Sequence, residues 1–575
     1  MSAKTSDPTQ WFIDLLAAQQ TVLRLFATAA GSSNAPPAMT SAVMPWLRAA
    51  GPIAAWQQEA LKQATTWWAG AASGGGAMPV GAVIRDRRVA AANWRQDPRF
   101  NDLMRGYREQ SASLRKTLEA APLDERSKAE WGFVLRQVID ALSPVNCLAT
   151  NPEALQLALE SDGASLVQGM RLFLQDFAKG RITTTDLSAF EVGRNLATTP
   201  GSVVFENELI QLIQYAPSTA DVHERPLLIV PPCVNKFYVL DLQPDNSFVA
   251  HTVAQGHTVF LVSWRNVGPQ QGRLSWDDYL AKGVLQAIDV ARTISGADRI
   301  NTLGFCIGGT LLACSLAIIA ARKQDKVASV TLLNALLDFS DTGDLGLMVN
   351  KATVASREAS IGHGGLFKGS ELALVFAALR ANDLVWHHVV NRYLKGKEPE
   401  AFDLLFWNSD STNLPGPMLC WYLRNGVLEN RLRVPGGTVQ CGEPVELGAI
   451  DLPAFVFASR ADHIVPWQTA YASTQLLGGD MTFVLGASGH IAGVINPPAW
   501  TKRNFWVGHW VGELKADAAD WLEHASRRST SWWPAWTEWL QAQAGARVPA
   551  RRQLGTSDFP VIEAAPGRYV KAMAD

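Results

Sequence analysis

The chain has 575 residues, and its 51 Lys and Arg against 53 Asp and Glu give a formal net charge of −2 at pH 7. This length predicts more than one domain and a large buried core. The basic residues are dispersed and create no concentrated positive field, so we expect no nucleic-acid partner. Six cysteines without a C-x-x-C spacing argue against a disulfide scaffold and a structural zinc site, and we expect no bound metal.

The sequence indicates neither secretion nor membrane insertion. The first residues, MSAKTSDP, are not followed by the apolar core that a signal peptide requires. The apolar run at residues 311–321 is too short to span a bilayer and includes Ser315. The sequence therefore predicts a soluble, cytoplasmic protein without a transmembrane segment.

Residues 1–190 carry helical patterns, interrupted by a glycine-rich loop at Gly70–Gly81. They contain no catalytic constellation, and we interpret them as a largely helical N-terminal domain. The segment from Trp11 to Phe26 is amphipathic, which suits docking onto a partner or a lipid-coated surface. A helix packed on the remainder of the protein explains the same pattern equally well.

From about residue 191 to the end of the chain, the pattern changes to strands that alternate with helices. Such alternation predicts a mostly parallel sheet covered on both faces. It fails between about 340 and 448, an interval rich in aromatic residues and leucine that we interpret as a cap subdomain. The predicted strands are Leu227–Val230, Thr258–Val262, Ile300–Phe305, Ser329–Leu333, Ala454–Phe457 and Thr482–Leu485.

The most informative stretch is residues 303–310, LGFCIGGT, which lies between a predicted strand and a predicted helix. G-x-C-x-G at such a junction is typical of the nucleophile elbow of the α/β-hydrolase fold, with Cys306 in place of serine. A thiolate attacks thioesters readily, and the acyl-thioester that it forms stays reactive enough to pass on its acyl group. The plainer alternative is a small apolar residue at the start of a helix.

An acid and a histidine follow in the chain order that this fold uses. Asp462 comes after the predicted strand Ala454–Phe457, and His490 comes after the strand Thr482–Leu485. Both therefore lie past the carboxyl end of a strand, where open parallel sheets bind their ligands. The sequence predicts a triad of Cys306, Asp462 and His490, in which Asp462 orients the histidine.

Backbone amides are expected to stabilise the oxyanion that forms when Cys306 attacks a carbonyl. The first is the N–H of Ile307, which follows the nucleophile. The second should come from residues 232–235; Pro232 has no N–H, and we favour Val234 over Cys233. Cys233 itself is better explained as a residue lining the pocket than as a reacting group. Further substrate-binding residues are not indicated.

From roughly residue 190 onward, the chain resembles the polyhydroxyalkanoate synthases, in particular the single-subunit class I enzymes with short-chain substrates. Phe305 before the nucleophile is one of the class I features. The resemblance is carried by residues 231–242 (PPCVNKFYVLDL), 262–266 (VSWRN), 304–310 (GFCIGGT), 402–410 (FDLLFWNSD), 413–417 (NLPGP), 462–467 (DHIVPW), 489–498 (GHIAGVINPP) and 531–534 (SWWP).

The resemblance implies that (R)-3-hydroxyacyl-CoA is polymerised into polyester, with release of CoA, through an acyl-Cys306 thioester. It implies a second role for Asp462, in helping His490 to activate the attacking 3-hydroxyl group. It further implies a homodimer, association with polyester granules and their proteins, and no cofactor, since the CoA thioester is the substrate. Two alternatives remain: an acyl-CoA thioesterase or other hydrolase with a cysteine nucleophile, and a non-catalytic granule-surface protein.

Overall fold

A computed structural model of the chain describes residues 87–500, 503–508 and 517–574. They form two compact units. The first unit comprises the described residues up to Asp186 together with Ala373–Glu400, and the second comprises Leu187–Leu372 and the described residues from Ala401 onward. The amphipathic segment from Trp11 to Phe26 and the loop Gly70–Gly81 lie outside the described residues.

In chain order, the strands of the described residues are β1 (Gly201–Glu206), β2 (Ile210–Tyr215), β3 (Asp221–His223), β4 (Leu227–Val230), β5 (Val259–Trp264), β6 (Ile300–Phe305), β7 (Val327–Leu333), β8 (Leu366–Phe367), β9 (Leu414–Pro415), β10 (Val439–Gln440), β11 (Glu443–Pro444), β12 (Ala454–Ser459), β13 (Met481–Gly486), β14 (Phe505–Val507), β15 (Ser526–Arg528), β16 (Arg547–Pro549) and β17 (Glu563–Ala564). The second unit is built on an eleven-stranded sheet with the order β15-β14-β13-β12-β7-β6-β4-β5-β2-β1-β17.

Six neighbouring strands at the centre of this sheet, from β5 through β4, β6, β7 and β12 to β13, run parallel. These are the six strands that the sequence predicts, with ends that differ by at most two residues. Antiparallel strands extend the sheet at both edges. The sequence pattern did not predict β1 and β2, which pair antiparallel as a hairpin. Polar residues interrupt both strands, so they lack the continuous apolar runs that mark the central strands.

Helices connect the strands of the second unit and cover the sheet. Ile307–Ala321 is buried almost all round because it is rich in Ala, Leu and Ile and carries no charge. Between β7 and β12 the structure is mainly helical. The other α-helices of this unit are Phe248–Ala254, Trp276–Asp278, Gln286–Ser295, Gly343–Leu347, Lys351–Ile361, Asp403–Ser409, Gly416–Trp421, Trp467–Ala472, His490–Val494, Ala518–His524 and Trp533–Gln543, and Tyr279–Leu285 and Tyr422–Leu428 are π-helical.

The first unit is helical in its described residues. Asp97 and Asn151 begin two of its helices, each by accepting hydrogen bonds from the first-turn amides with its side chain. The α-helices among the described residues of this unit are Asn93–Gln96, Pro98–Glu119, Glu125–Ala141, Pro152–Glu160 and Ala164–Lys179, with the π-helical turns Asn382–Trp386 and Val389–Leu394. The helix Gly369–Leu379 contains the division between the units.

The placement of Ala373–Glu400 corrects the predicted domain division, which assigned these residues to a cap within 191–575. The carboxylate of Asp176, 2% exposed, accepts hydrogen bonds from Arg392 Nε (2.8 Å) and from the Tyr393 hydroxyl (2.9 Å). Burial raises the pKa of Asp176, but hydrogen bonds from Thr183, Arg392 and Tyr393 outweigh it and lower the pKa overall. Contacts between residues so distant in sequence leave no local signal.

Apolar burial in the second unit extends from the sheet to the helix Trp533–Gln543. Trp532 stacks on Phe457 of β12 at 4.3 Å between ring centroids, and Trp536 packs on Phe248 at 4.7 Å. This cluster lies behind the strands that carry the predicted triad. No helix among the described residues combines the length and apolarity needed to cross a membrane.

Candidate active site

Cys306 lies at a sharp turn between β6 and the helix Ile307–Ala321. Its backbone has φ 53° and ψ −129°, a conformation that costs energy for a residue with a side chain and is common at functional sites. The amide of Cys306 donates to the carbonyl of Leu333 on β7 (2.9 Å), which ties the turn to the sheet. Within residues 301–310, Cys306 alone is not buried. The predicted elbow is therefore present, and it exposes the thiol.

The glycines of the elbow are required by close approach. A Cβ on Gly304 would stand 2.5 Å from the Cα of Gly309, so the strand and the helix cross in contact. A Cβ on Gly308 would stand 2.4 Å from the carbonyl oxygen of Val230 at the end of β4. The helix start thus packs directly on the strand from which the loop 231–236 begins.

Asp462 and His490 meet at the carboxyl ends of β12 and β13. His490 Nδ1 and Asp462 Oδ2 are 2.6 Å apart, and both side chains are buried. The other oxygen of Asp462 accepts hydrogen bonds from the amides of Ile464 (2.9 Å) and Val465 (3.0 Å). Both carboxylate oxygens are therefore held, and the ring of His490 can take only one orientation.

Burial and charge oppose each other at His490. Burial lowers the pKa of the imidazole, but the Asp462 carboxylate and the Cys306 sulfur raise it, and the net result is a pKa of about 10. Since Asp462 holds Nδ1, Nε2 is the nitrogen left to exchange a proton with the Cys306 thiol. The structure thus brings the three predicted residues together.

Asn334 supports the histidine, and the sequence reading missed it. Its side-chain amide donates to the carbonyl of His490 (2.6 Å) and to Ser459 Oγ (3.1 Å), so it links the ends of β7, β12 and the helix His490–Val494. The ring of Phe305 stacks on the imidazole at 5.5 Å. One signal was available: Asn334 directly follows the predicted strand Ser329–Leu333, at the same edge of the sheet as the acid and the histidine.

The loop after β4 holds the second predicted oxyanion donor. Val234 is the one residue of 231–240 that is not buried, and Cys233 beside it is 3% exposed. Burial, with a smaller contribution from Cys306, raises the pKa of the Cys233 thiol well above its usual range. A thiol of this kind is a poor nucleophile, which agrees with a lining role. Ile307 begins its helix, so its N–H has no partner within that helix.

The arrangement can perform acyl transfer: a half-exposed thiol, an imidazole that exchanges a proton with it, and a carboxylate that fixes the imidazole. Within the described ranges, no group of three or more His, Cys, Asp or Glu side chains is arranged to hold a metal ion.

The parallel sheet, the elbow and the order of the three residues define an α/β-hydrolase fold, and residues 226–497 match the family model described as alpha/beta hydrolase fold. Residues 85–252 match the model described as poly-beta-hydroxybutyrate polymerase (PhaC) N-terminus. The chain is 51% identical over 524 residues to the poly(3-hydroxyalkanoate) polymerase subunit PhaC of Cupriavidus necator, covering 90% of this chain and 88% of that protein.

Two further relatives carry similar names. The poly(3-hydroxyalkanoate) polymerase subunit PhaC of Rhizobium meliloti is 41% identical over 501 residues, which cover 86% of this chain and 81% of that protein. The poly(3-hydroxyalkanoate) polymerase of Methylorubrum extorquens is 40% identical over 495 residues, covering 85% and 81%. The chain belongs to the poly(3-hydroxyalkanoate) polymerase family. The resemblance of the sequence motifs to the polyhydroxyalkanoate synthases is thereby confirmed at the level of the family.

Proposed function

We propose that this chain polymerises (R)-3-hydroxyacyl-CoA, with short acyl chains such as 3-hydroxybutyryl, into polyester and releases CoA. Family membership supports the polymerisation of hydroxyalkanoate units. The observation that carries the proposal for this chain is the buried hydrogen bond of His490 with Asp462, together with the elbow residue Cys306, which helps to raise the pKa of the imidazole. An acyltransferase with a cysteine nucleophile needs this arrangement, whereas a non-catalytic surface protein has no use for it.

Loading begins with the proton of the Cys306 thiol already on His490 Nε2, in agreement with the raised pKa of the imidazole. The thiolate attacks the thioester carbonyl, a carbon–sulfur bond forms, and the oxyanion accepts hydrogen bonds from the amides of Ile307 and Val234. The tetrahedral intermediate then expels the CoA thiolate, which takes the proton from His490. The products are free CoA and an acyl-Cys306 thioester.

Chain growth repeats the attack with oxygen. His490 accepts the proton of a 3-hydroxyl group, and that oxygen attacks the carbonyl of the acyl-Cys306 thioester. An ester bond forms, the bond to sulfur breaks, and the Cys306 thiolate recovers the proton from His490. An alcohol is a far weaker acid than a thiol, so this step depends more on Asp462, which holds the imidazole and stabilises its charge.

Several properties of the enzyme follow from this proposal. Each step moves only a proton and an acyl group, so the CoA thioester substrate is sufficient without a cofactor. We propose that the enzyme works in the cytoplasm on the surface of polyester granules, since the growing polymer is insoluble. We propose a homodimer as the active form, and a role for the N-terminal residues 1–190 in contacts with granules or partners.

Incubation of the full chain with 3-hydroxybutyryl-CoA tests the proposal. We expect CoA release and insoluble polyester to appear together, with a transient acyl adduct on Cys306 in peptide mass spectra. The variant Cys306→Ala should keep the native circular dichroism spectrum, because alanine is smaller than cysteine, and should form neither adduct nor polymer.

The product that appears together with CoA distinguishes the proposed function from its alternatives. Release of CoA with free 3-hydroxybutyrate and no polymer would make the chain a thioesterase. An adduct that persists in Cys306→Ala would move the nucleophile elsewhere, with Cys233 as the first residue to test. A second control, Cys314→Ala, removes a fully buried thiol of the same helix and should retain activity.

A further inference from the structure

The loop that carries Val234 is held by two hydrogen bonds to one side-chain hydroxyl, that of Thr412, which is distant in sequence. Thr412 Oγ1 accepts a hydrogen bond from the amide of Asn235 (2.9 Å) and donates one to the carbonyl of Cys233 (3.1 Å). Thr412 is 4% exposed, and both contacts are buried. The hydroxyl therefore uses its hydrogen and a lone pair on the two peptide groups that flank Val234.

Because the peptide group is planar, the hydrogen bonds of Thr412 also fix the direction of the Val234 N–H. The carbonyl of Cys233 and the N–H of Val234 belong to the same planar trans peptide group, so they point in opposite directions. When Thr412 fixes the carbonyl, the Val234 N–H is directed away from Thr412. Asn235 has φ 61° and gives its own N–H to Thr412, so it is not available as an oxyanion donor.

Thr412 is itself held by its neighbours on both sides. Asp410 forms a buried ion pair with Lys236 (2.7 Å) and accepts a hydrogen bond from the Tyr238 hydroxyl (2.9 Å). On the other side, the side chain of Asn413 accepts from the amide of Gly369 (2.8 Å) and donates to the carbonyl of Val267 (3.2 Å). Residues 410–413 therefore form a rigid brace between the ends of β4 and β5.

We propose that Thr412 is a positioning residue of the acyl transfer, which aims the Val234 amide at the developing oxyanion through its hydrogen bond to the Cys233 carbonyl. The proposal rests on the function proposed above. It assigns to Thr412 no contact with substrate. Because an oxyanion donor acts on the transition state more than on the bound substrate, the loss of Thr412 should lower kcat and leave KM almost unchanged.

The variants Thr412→Val and Thr412→Ser separate the hydroxyl from the shape of the side chain. With 3-hydroxybutyryl-CoA, the single-turnover acylation of Cys306 should slow by about 10- to 100-fold in Thr412→Val, somewhat less than the removal of a donor costs. Thr412→Ser should recover most of the rate. Thr252→Val is the matched control, since Thr252 is a buried threonine that donates to a backbone carbonyl within the helix Phe248–Ala254.

The rate of Cys306 alkylation by iodoacetamide distinguishes a positioning role from a merely structural one, because a disturbed site would also slow alkylation. Displacement of iodide forms no oxyanion, so Cys306 should be alkylated at the same rate in Thr412→Val and in the wild type. If Thr412→Val fails to fold, Thr412→Ala replaces it, because its smaller side chain cannot crowd the loop.

Equal acylation rates in wild type and Thr412→Val, or a parallel fall in alkylation, would overturn the inference. So would equal losses in Thr412→Val and Thr412→Ser. Failure of the proposed function would be seen instead in the wild type, as the absence of an acyl-Cys306 adduct, and would overturn both proposals.

Discussion

Among the described residues, each unit contains a nearly fully buried ion pair between segments far apart in sequence. In the second unit, Lys236 and Asp410 brace the loop of the candidate site; in the first, Asp176 and Arg392 attach the segment 373–400 to the helices. The second unit has a large sheet and an extensive apolar core, whereas the apolar cluster around Trp94 in the first is small. We therefore expect that the loss of buried polar contacts mainly lowers the reaction rate in the second unit and mainly lowers the stability of the fold in the first.

The largest effect should come from Asp462→Asn, which tests the chemical half of this comparison. Chain growth needs an alcohol to be deprotonated, and the loss of the carboxylate that supports His490 should slow polymer formation by roughly 10²- to 10⁴-fold. Loading should be much less affected because a thiol is far more acidic. A single-turnover acylation beside a steady-state polymer assay measures both, with His490→Gln expected to impair the two steps alike. Equal losses in both assays for Asp462→Asn would reduce it to an orienting residue.

The variant Asp176→Ala tests whether buried polar contacts stabilise the first unit. It removes the buried carboxylate partner of Arg392 and leaves only the largely exposed Glu398 (2.6 Å) to pair with the guanidinium, so the local stability of the first unit should fall by about 3 kcal/mol. Hydrogen exchange of the turn Val389–Leu394 should report this loss. Glu130→Ala is the matched control, because Glu130 forms an exposed ion pair with Arg126 and its loss should cost at most about 1 kcal/mol. Similar exchange in the two variants would contradict an anchoring role for Asp176.

A smaller effect should come from steric contact at the same attachment. A Cβ on Gly169 would stand 2.0 Å from the carbonyl oxygen of Tyr393, so Gly169→Ala should destabilise the first unit by about 1–3 kcal/mol. Gly106 lies in the helix Pro98–Glu119 with no atom within 4 Å of such a Cβ, and Gly106→Ala should stabilise by roughly 0.5–1 kcal/mol. Thermal unfolding measures both changes in stability. Changes of opposite sign in the two variants would support the packing of Gly169 against Tyr393, and changes of the same sign would argue against it.

The last effect is a pH dependence in the second unit. His490 has its pKa raised from 6.5 to about 10, so the protonated ring stabilises the folded state fully below pH 6.5, and this stabilisation is lost as the pH rises through 10. The free-energy difference in unfolding between wild type and His490→Gln should therefore shrink from pH 6.5 to pH 10. Urea titrations at several pH values measure it, and a difference that grows with pH would reverse the sign.

Local sequence patterns predicted the central strands and the triad because both depend on neighbours in the chain. Continuous apolar runs mark buried parallel strands, and G-x-C-x-G marks a turn that only small residues permit. The positions of Asp462 and His490 then follow from parallel strands ending at one edge of the sheet.

The contacts that the sequence did not reveal join segments about 150 to 220 residues apart, a separation at which spacing carries no information. Asn334, Thr412 and Arg392 are of this kind. Each depends on a side chain that meets a backbone group or charge from another part of the fold. For the same reason, residues 373–400 were assigned to the cap from their position between β7 and β12.

The attachment of residues 373–400 has a consequence for synthesis on the ribosome. Asp176 and Arg392 are 216 residues apart, so at ~5–20 residues per second the helices of the first unit wait about 10–40 s for the segment that completes them. Strands β1 to β8 emerge during this interval, and β1 waits longer still for β17. Both units are thus completed by late segments, and we expect the nascent chain to depend on chaperones that shield exposed apolar surface until β17 has left the ribosome.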